Sequence, residues 1–222
     1  MPLLIIVGGV ILVVLVVGWI QNLRLKHHTR QLARVAEVLG FAFSEEGDPK
    51  LYGQAHRFLL FSQGRTGKIK NLMQGRRPVP GKPGETVDVS VFEYTFTTPY
   101  GRYVENWRQT VVRIHDPDMD LPTFSLTPEP VFSAMLENAQ DPDLRERLVG
   151  TAGLSFPQHP EFEEATHVQG PDRMALRPLF TDEVIAFFQD VNVVCAEAGG
   201  PYLLFYRYDN LLKSEEVPAF VE

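Results

Sequence analysis

The chain has 222 residues, of which 44% are hydrophobic and 22% are charged, with a formal net charge of −7 at pH 7. This composition excludes a disordered or collagen-like chain, and the length leaves room for one compact domain or two very small ones. The only cysteine, Cys195, cannot form an intrachain disulfide or the usual cysteine-based zinc site. The first 40 residues carry +3 and the remainder −10, an acidic balance that argues against general nucleic-acid binding.

The segment Leu3–Ile20 has no charged and no strongly polar side chain. As a helix it would span ~27 Å, which is close to the ~30 Å hydrocarbon core of a bilayer. A cleaved signal peptide is disfavoured, because Met1-Pro2 lacks Lys and Arg and no small-residue cleavage site follows. We therefore predict one uncleaved transmembrane helix over residues 1–21, with Trp19 at the membrane interface.

A basic collar follows the apolar segment, and its excess of Lys and Arg sets the predicted orientation. The positive-inside rule places the N-terminus outside and the remaining chain in the cytoplasm. The histidines of the collar are predicted to be solvated or near lipid headgroups, with metal or pigment ligation as the alternative. The predicted interface residues are Trp19, Arg24, Lys26, His27, His28 and Arg30.

Two features of this region predict contacts with other helices or with the domain. Gly8 and Gly9 form a small-residue notch at which a second helix can approach closely, although glycine is also common in transmembrane helices by chance. Residues 22–40 predict a basic amphipathic linker helix, because Leu25, Leu32 and Leu39 fall on one helical face. Its apolar stripe would pack on its own domain or on a partner.

The middle of the chain predicts β structure. Phe58–Gln63 and Lys68–Gln74 are short apolar runs bounded by glycines, and we expect both to be strands. Thr86–Thr97 has the two-residue period of a strand, with Val87, Val89 and Val91 on one side and Phe92, Tyr94 and Phe96 on the other. Arg102–Ile114 follows a turn signal. This pattern predicts a long hairpin. A further short strand is expected at Pro122–Leu126.

Helices dominate the next part of the chain. Thr127-Pro128, Asp141-Pro142 and Thr181 are each N-terminal helix signals followed by apolar residues. A closing hairpin is expected from Val191–Glu197 and Tyr202–Tyr208. The predicted fold class is α+β: a single N-terminal transmembrane helix followed by a mainly antiparallel β domain with segregated helices, over residues 41–222.

Catalytic motifs are weak. Gly64–Lys68 lacks the spacing of a phosphate-binding loop and is better explained as a tight turn. Asp116, Asp118 and Asp120 echo the start of a calcium loop, but the glycine and the final glutamate of that loop are missing. We therefore assign no catalytic residue, no metal ligand and no cofactor, and leave open whether a small ligand binds.

Charge is segregated along the chain. Between Asp48 and Glu85 there are basic residues and no acid, whereas Asp116–Glu164 is strongly acidic. The basic region could face anionic lipid or an acidic partner; alternatively, it could face the acidic helices of its own domain. The predicted partner- or lipid-facing residues are Arg57, Arg65, Lys68, Lys70, Arg76, Arg77 and Lys82.

Short motifs between residues 32 and 126 resemble an uncharacterised group of bacterial single-pass membrane-anchored proteins. They include Leu39-Gly40-Phe41, Val91-Phe92-Glu93-Tyr94 and Gln109-Thr110-Val111-Val112, together with Leu60-Phe61, Gly64, Asn71, Gly75 and Leu121-Pro122-x-Phe124. The resemblance covers less than half of the chain. It implies the tethered architecture, and it supplies no activity or site residue.

Three functional hypotheses follow. The first is a non-catalytic accessory subunit of a bacterial multi-subunit membrane complex, such as a respiratory or photosynthetic assembly, whose partners are membrane lipid and other subunits. The second is a membrane-tethered sensor or ligand-binding module with an aromatic cavity around Phe92, Tyr94, Trp107 and Tyr206. The third is a hydrolase, which would require His115 or His167 to cluster with carboxylates in a cleft.

Overall fold

The computed structural model describes residues 2–48, 51, 58–100, 103–139, 142–150, 153–191 and 193–221. The chain begins with one long helix, α1 (Pro2–Leu39), which includes both the predicted membrane segment and the predicted linker helix without interruption. Gly40 ends it with a φ of +68°, a backbone conformation that glycine adopts without steric cost.

The domain is built on one eight-stranded sheet. Its strands are β1 (Ala42–Glu46), β2 (Arg65–Pro78), β3 (Thr86–Tyr100), β4 (Tyr103–His115), β5 (Leu121–Pro128), β6 (Thr166–Gln169), β7 (Cys195–Gly200) and β8 (Tyr202–Tyr206). The order across the sheet is β1-β2-β3-β4-β8-β7-β5-β6, and every neighbouring pair is antiparallel. This mainly antiparallel sheet with helices confirms the α+β class.

Shorter helices surround the sheet. They are α2 (Leu59–Ser62), α3 (Glu129–Asn138), α4 (Pro142–Val149), α5 (Pro160–Ala165), α6 (Arg173–Leu176), α7 (Asp182–Val191) and α8 (Val217–Val221), with a 3₁₀ turn at Arg177–Leu179. A helix is present from Pro142 as predicted, while Asp141 lies outside the described residues. The predicted N-cap at Thr127 is wrong, because Thr127 lies in β5 and Pro128 is the residue that precedes α3. The predicted N-cap at Thr181 is confirmed. The hydroxyl of Thr181 accepts a hydrogen bond from the backbone N–H of Val184 at 3.4 Å.

The two faces of the sheet carry different helices. Directly paired residues of antiparallel strands share a face, so alternate residues of β3 belong to different cores. Val89 and Val91 lie on the face that packs against α1 and α8, which we call the α1 face. Phe92, Tyr94 and Phe96 lie on the opposite face, against α2, α3 and α4. A third cluster joins α5, α6 and α7 to Ala196 and Phe205, and Phe205 pairs with Val112 of the α1 face.

Two further sequence-based assignments are wrong. Leu59–Ser62 is helical although its apolar run predicts a strand. The physical reason is tertiary: the carboxylate of Glu197 accepts hydrogen bonds from the backbone N–H groups of Leu59 and Leu60, which satisfies the free donors at the start of a helix. In addition, Val191 ends α7 instead of starting the last hairpin, whose first strand begins at Cys195.

Candidate membrane-facing surface

The C-terminal half of α1, His28–Leu39, packs on the sheet and is called here the docked half. Leu32 and Ala36 are fully buried against Met73 and Val91. They lie four residues apart and therefore on one side of the helix. Arg30, predicted as an interface residue, is exposed on the side turned away from the sheet. The predicted apolar stripe is thus a contact between the helix and its own domain from Leu32 onward, whereas Leu25 is exposed.

A polar contact holds the N-terminal end of the docked half, at His28. His28 Nε2 lies 2.5 Å from Glu93 Oε1, and the side-chain amide of Asn71 donates to Glu93 Oε2 at 2.7 Å. The hydrogen bond with Glu93 raises the pKa of His28, and partial burial opposes that shift. His28 therefore differs from the other collar residues, because it is held by the domain instead of by solvent or lipid headgroups.

A second contact holds the C-terminal end of the docked half, at Leu39. The guanidinium of Arg77 donates to the backbone oxygen of Leu39 at 3.0 Å and lies 4.4 Å from the centre of the Phe41 ring. The ring covers Gly75, where a Cβ atom would lie only 2.0 Å from Phe41 Cδ1. Only glycine allows the ring of Phe41 to lie this close to β2. The turn that follows α1 therefore packs directly on the strand.

The N-terminal half of α1 behaves differently. From Leu12 to Leu25 the described side chains are exposed on all sides of the helix; we call this segment the exposed half. Leu15 is 65% exposed and Trp19 is 64% exposed. Gly8 and Gly9 lie outside the residues whose surroundings the structure describes. Within the described residues, no helix is both long and apolar enough to be identified as a membrane span.

The basic residues are divided between two places. Arg24, Lys26 and His27 are exposed on α1, just below the apolar segment. On the sheet, Arg65, Lys68 and Lys70 are exposed near the start of β2, and none of them forms an ion pair within the described residues.

The other members of the predicted basic region are engaged locally or not described. Arg76 pairs with Asp88 at 3.0 Å, and Lys82 pairs with Glu85 at 3.1 Å, both at the far end of β2 and β3. Arg77 belongs to the α1 contact, and Arg57 lies outside the described residues. The region is therefore not one continuous surface. Its unpaired part is confined to Arg65, Lys68 and Lys70.

The sequence gives no signal for the one acidic side chain that is buried among the described residues, Glu197. Glu197 is 2% exposed on β7, and in addition to the two N–H groups of α2 it accepts a hydrogen bond from the hydroxyl of Tyr206 at 2.7 Å. Burial raises the pKa of Glu197 and of the neighbouring Cys195 thiol. A cavity of about 160 Å³ lies beside the carboxylate, with Arg147 and Gln169 in its wall. Both carboxylate oxygens are bonded within the protein, which indicates a structural role.

The candidate catalytic groups remain separate pairs. His115 lies 3.4 Å from Asp88, and His167 lies 2.5 Å from Glu129. Ser133 donates to Glu129 and not to the imidazole, so the order of contacts is not that of a nucleophile activated by a base. Asp116 caps the turn after β4 by accepting from the backbone N–H of Asp118. Among the described residues there is no group of three or more metal-ligating side chains.

The proposed aromatic cavity is occupied by aromatic rings. Phe92, Tyr94 and Tyr206 are buried in the core of the opposite face. The ring centre of Tyr94 lies 4.8 Å from that of Phe61, and the ring centre of Trp107 lies 5.1 Å from that of Tyr208. These rings fill the space between sheet and helices by packing on one another.

Comparison with known proteins gives a structural relationship only. The fold is similar to the crystal structure of the mycobacterial trehalose monomycolate transport factor A, TtfA, with a TM-score of 0.55 and 13% sequence identity over 86% of each chain. No protein-family model and no curated protein matches the sequence. At this identity the similarity shows a common fold, and the chain is an α+β protein of the same general architecture as TtfA.

Proposed function

We propose that this protein is a membrane-anchored, non-catalytic accessory subunit of a bacterial membrane complex. In this proposal the segment Leu3–Ile20 crosses the inner membrane, the N-terminus lies outside, and the sheet domain lies in the cytoplasm. The observation that carries the proposal is the continuity of α1, which runs without interruption from the apolar segment into the core of the domain.

The exposed half supports the membrane anchor. From Leu12 to Ile20 the sequence is apolar on all sides of the helix. Such a surface requires an apolar environment, because each large side chain left in water forgoes about 1.5–3 kcal/mol of transfer free energy. The domain does not cover Leu15, Val16 or Trp19. Lipid tails or neighbouring helices would cover them, and the basic collar at Arg24 and Lys26 would lie among the headgroups.

The docked half supports a role in positioning. The helix is fixed to the domain by the buried Leu32 and Ala36, by His28 with Glu93, and by Arg77. A domain fixed to its anchor is held at one orientation to the membrane. Such an arrangement suits a subunit that contacts partner subunits at a set height. TtfA is a transport factor, and an accessory role in a transport complex is one form of this proposal.

The proposal is tested by purifying the tagged full chain from its own membranes in a mild detergent. We expect it to extract with the membrane fraction and to migrate with stoichiometric partner subunits. The double variant Gly8→Leu/Gly9→Leu keeps an apolar segment but fills the small-residue notch, so it should weaken the association. Gly18→Leu, a matched change with open space around the glycine, should leave it intact. Recovery of the unaltered protein only as a free monomer would contradict the proposal.

A further inference from the structure

We infer that the tip of the β3–β4 hairpin is a second membrane contact, which inserts Tyr103 and Val104 into the headgroup region of an anionic bilayer beside the anchor helix. This inference rests on the proposed membrane anchor. It adds a contact that the anchor alone does not require.

The hairpin extends beyond the rest of the sheet. β3 and β4 pair with each other continuously from Asp88 with His115 to Tyr100 with Tyr103. The neighbouring strands stop earlier, because β8 pairs with β4 only over Val111–His115 and β2 reaches β3 no further than Thr97. Residues beyond Thr97 therefore form a two-stranded projection. Its base is braced by Trp107, whose indole N–H donates to the hydroxyl of Thr98 at 2.8 Å.

The projection points in the same direction as the exposed half of α1. Leu39 contacts Arg77, which pairs with Val87 near the start of β3, and His28 contacts Glu93 further along the strand. The direction of α1 toward its N-terminus is therefore the direction of β3 toward the hairpin tip. The anchor helix and the hairpin leave the domain at the same end.

The heights of the tip and of the membrane interface agree. From Leu39 to His28 the helix rises ~16 Å at ~1.5 Å per residue, while β3 extends ~20 Å from Val87 to Glu93 at ~3.3 Å per residue. Pro99 is another six residues along the strand, and it pairs with Val104. If helix and strand continue at the same relative rise, the pair Pro99–Val104 lies level with helix residues near Val17. This height is close to Trp19, the predicted interface residue.

The side chains at this height suit a membrane surface. Tyr103 is 78% exposed and Val104 is 63% exposed, and tyrosine is favoured at the interface because its ring is amphipathic. Lys68 pairs with Thr95, and Arg65 pairs with Thr97, so both lie between the docked contact and the tip. By the same ratio Lys68 is level with Arg24 of the basic collar.

The basic side chains also lie on the correct face. Thr95 and Thr97 alternate with the buried Tyr94 and Phe96, which places Lys68 and Arg65 on the α1 face. Arg108 pairs with Thr95 from the other side and shares that face. A cationic rim around the emerging helix, with an aromatic and aliphatic tip above it, is complementary to anionic headgroups over an apolar interior.

The test is depth-dependent fluorescence quenching of the full chain in vesicles of phosphatidylcholine and phosphatidylglycerol that contain a spin-labelled lipid. A polarity-sensitive fluorophore is attached to Tyr103→Cys, Trp19→Cys or Lys82→Cys in separate preparations. Cys195 is fully buried and does not compete for the label. Lys82 lies in the turn at the opposite end of β2 and β3, and it serves as the matched exposed control.

We expect quenching at positions 19 and 103 and none at position 82. Quenching at 19 without quenching at 103 would overturn this inference and leave the membrane anchor in place. Absence of quenching at all three positions would overturn the anchor and the inference together. Quenching at all three would also overturn the inference, because the domain would then be lying flat instead of touching the membrane with the hairpin tip.

A charge variant tests the role of the rim. Lys68→Glu should reduce quenching at position 103 in vesicles that contain phosphatidylglycerol, and the reduction should disappear in phosphatidylcholine alone. Lys82→Glu, the same charge change at the far end of the sheet, should leave quenching at position 103 unaltered. Equal effects of the two variants would contradict a local contact of the rim with anionic lipid.

Discussion

The two halves of α1 belong to one continuous helix but differ in what surrounds them. The exposed half, Leu12–Leu25, is the more apolar, yet the domain leaves it uncovered. The docked half, His28–Leu39, is amphipathic, and its apolar side is buried. Burial within the domain depends on an apolar stripe that matches the sheet face, whereas the surface of Leu12–Ile20, which is apolar on all sides, finds no such match in the described part of the domain.

The largest effect should come from the packed stripe. Leu32→Ala removes a fully buried side chain between α1 and the sheet, and we expect it to lower the free energy of unfolding by about 2–5 kcal/mol. Leu25→Ala, the same change in the exposed half, should alter it by less than about 0.5 kcal/mol. Chemical denaturation of both detergent-solubilised variants checks this. Equal losses would mean that the two halves do not differ in the way described.

A smaller loss is expected at the glycine beneath Phe41. Gly75→Ala places a methyl group against the ring, so Phe41 and the turn after α1 must move, at a cost of about 1–3 kcal/mol. Gly18→Ala lies in open space on the exposed half and should leave the unfolding midpoint of the domain unchanged. Thermal unfolding of the two variants compares them directly. A tolerated Gly75→Ala would show that the turn is not held by this contact.

The smallest and most specific effect is pH-dependent. The folded-state pKa of His28 is raised, mainly by its hydrogen bond with Glu93. The stabilisation is therefore fully present below the unfolded pKa of ~6.5 and is lost as the pH rises through the folded-state pKa. We expect His28→Gln to cost roughly 1 kcal/mol at low pH and progressively less above that window.

Hydrogen exchange provides a local measurement of this contact. After correction for the intrinsic effect of pH on exchange, the amides of α1 around His28 should exchange faster as the pH rises and the contact weakens. This pH dependence should vanish in Glu93→Gln. His27→Gln is the matched control, because His27 is exposed on the next position of the same helix. An unchanged pH dependence in His28→Gln would assign it to another group.

Much of the fold could be predicted from local patterns. The alternation of Thr86–Thr97 predicts β3, and the structure has it at Thr86–Tyr100. The glycine at position 40 predicts the end of α1, which ends at Leu39. These features are local, because side-chain periodicity and glycine conformation are properties of a few consecutive residues.

The candidate surface was predictable only in part. The basic residues of β2 can be found in the sequence. Their separation into unpaired and ion-paired residues cannot, since it depends on which residues of other elements lie beside each end of β2. Arg65 and Lys68 lie at the end from which α1 emerges, whereas Arg76 pairs with Asp88 at the other end. His28 and Glu93 are 65 residues apart in the chain, so no local signal distinguishes His28 from His27.

Local sequence is sufficient to predict the apolar segment, the basic collar, the long hairpin and the α+β class, because each depends on the spacing of residues that are close in the chain. Leu59–Ser62 is a helix for a long-range reason, since Glu197 of a distant strand accepts hydrogen bonds from the backbone N–H groups of Leu59 and Leu60. The docked half of α1 also depends on long-range contacts, because its apolar stripe is buried by a sheet face that is distant in the chain. Long-range contacts set these features, and a strand alone does not specify its partners.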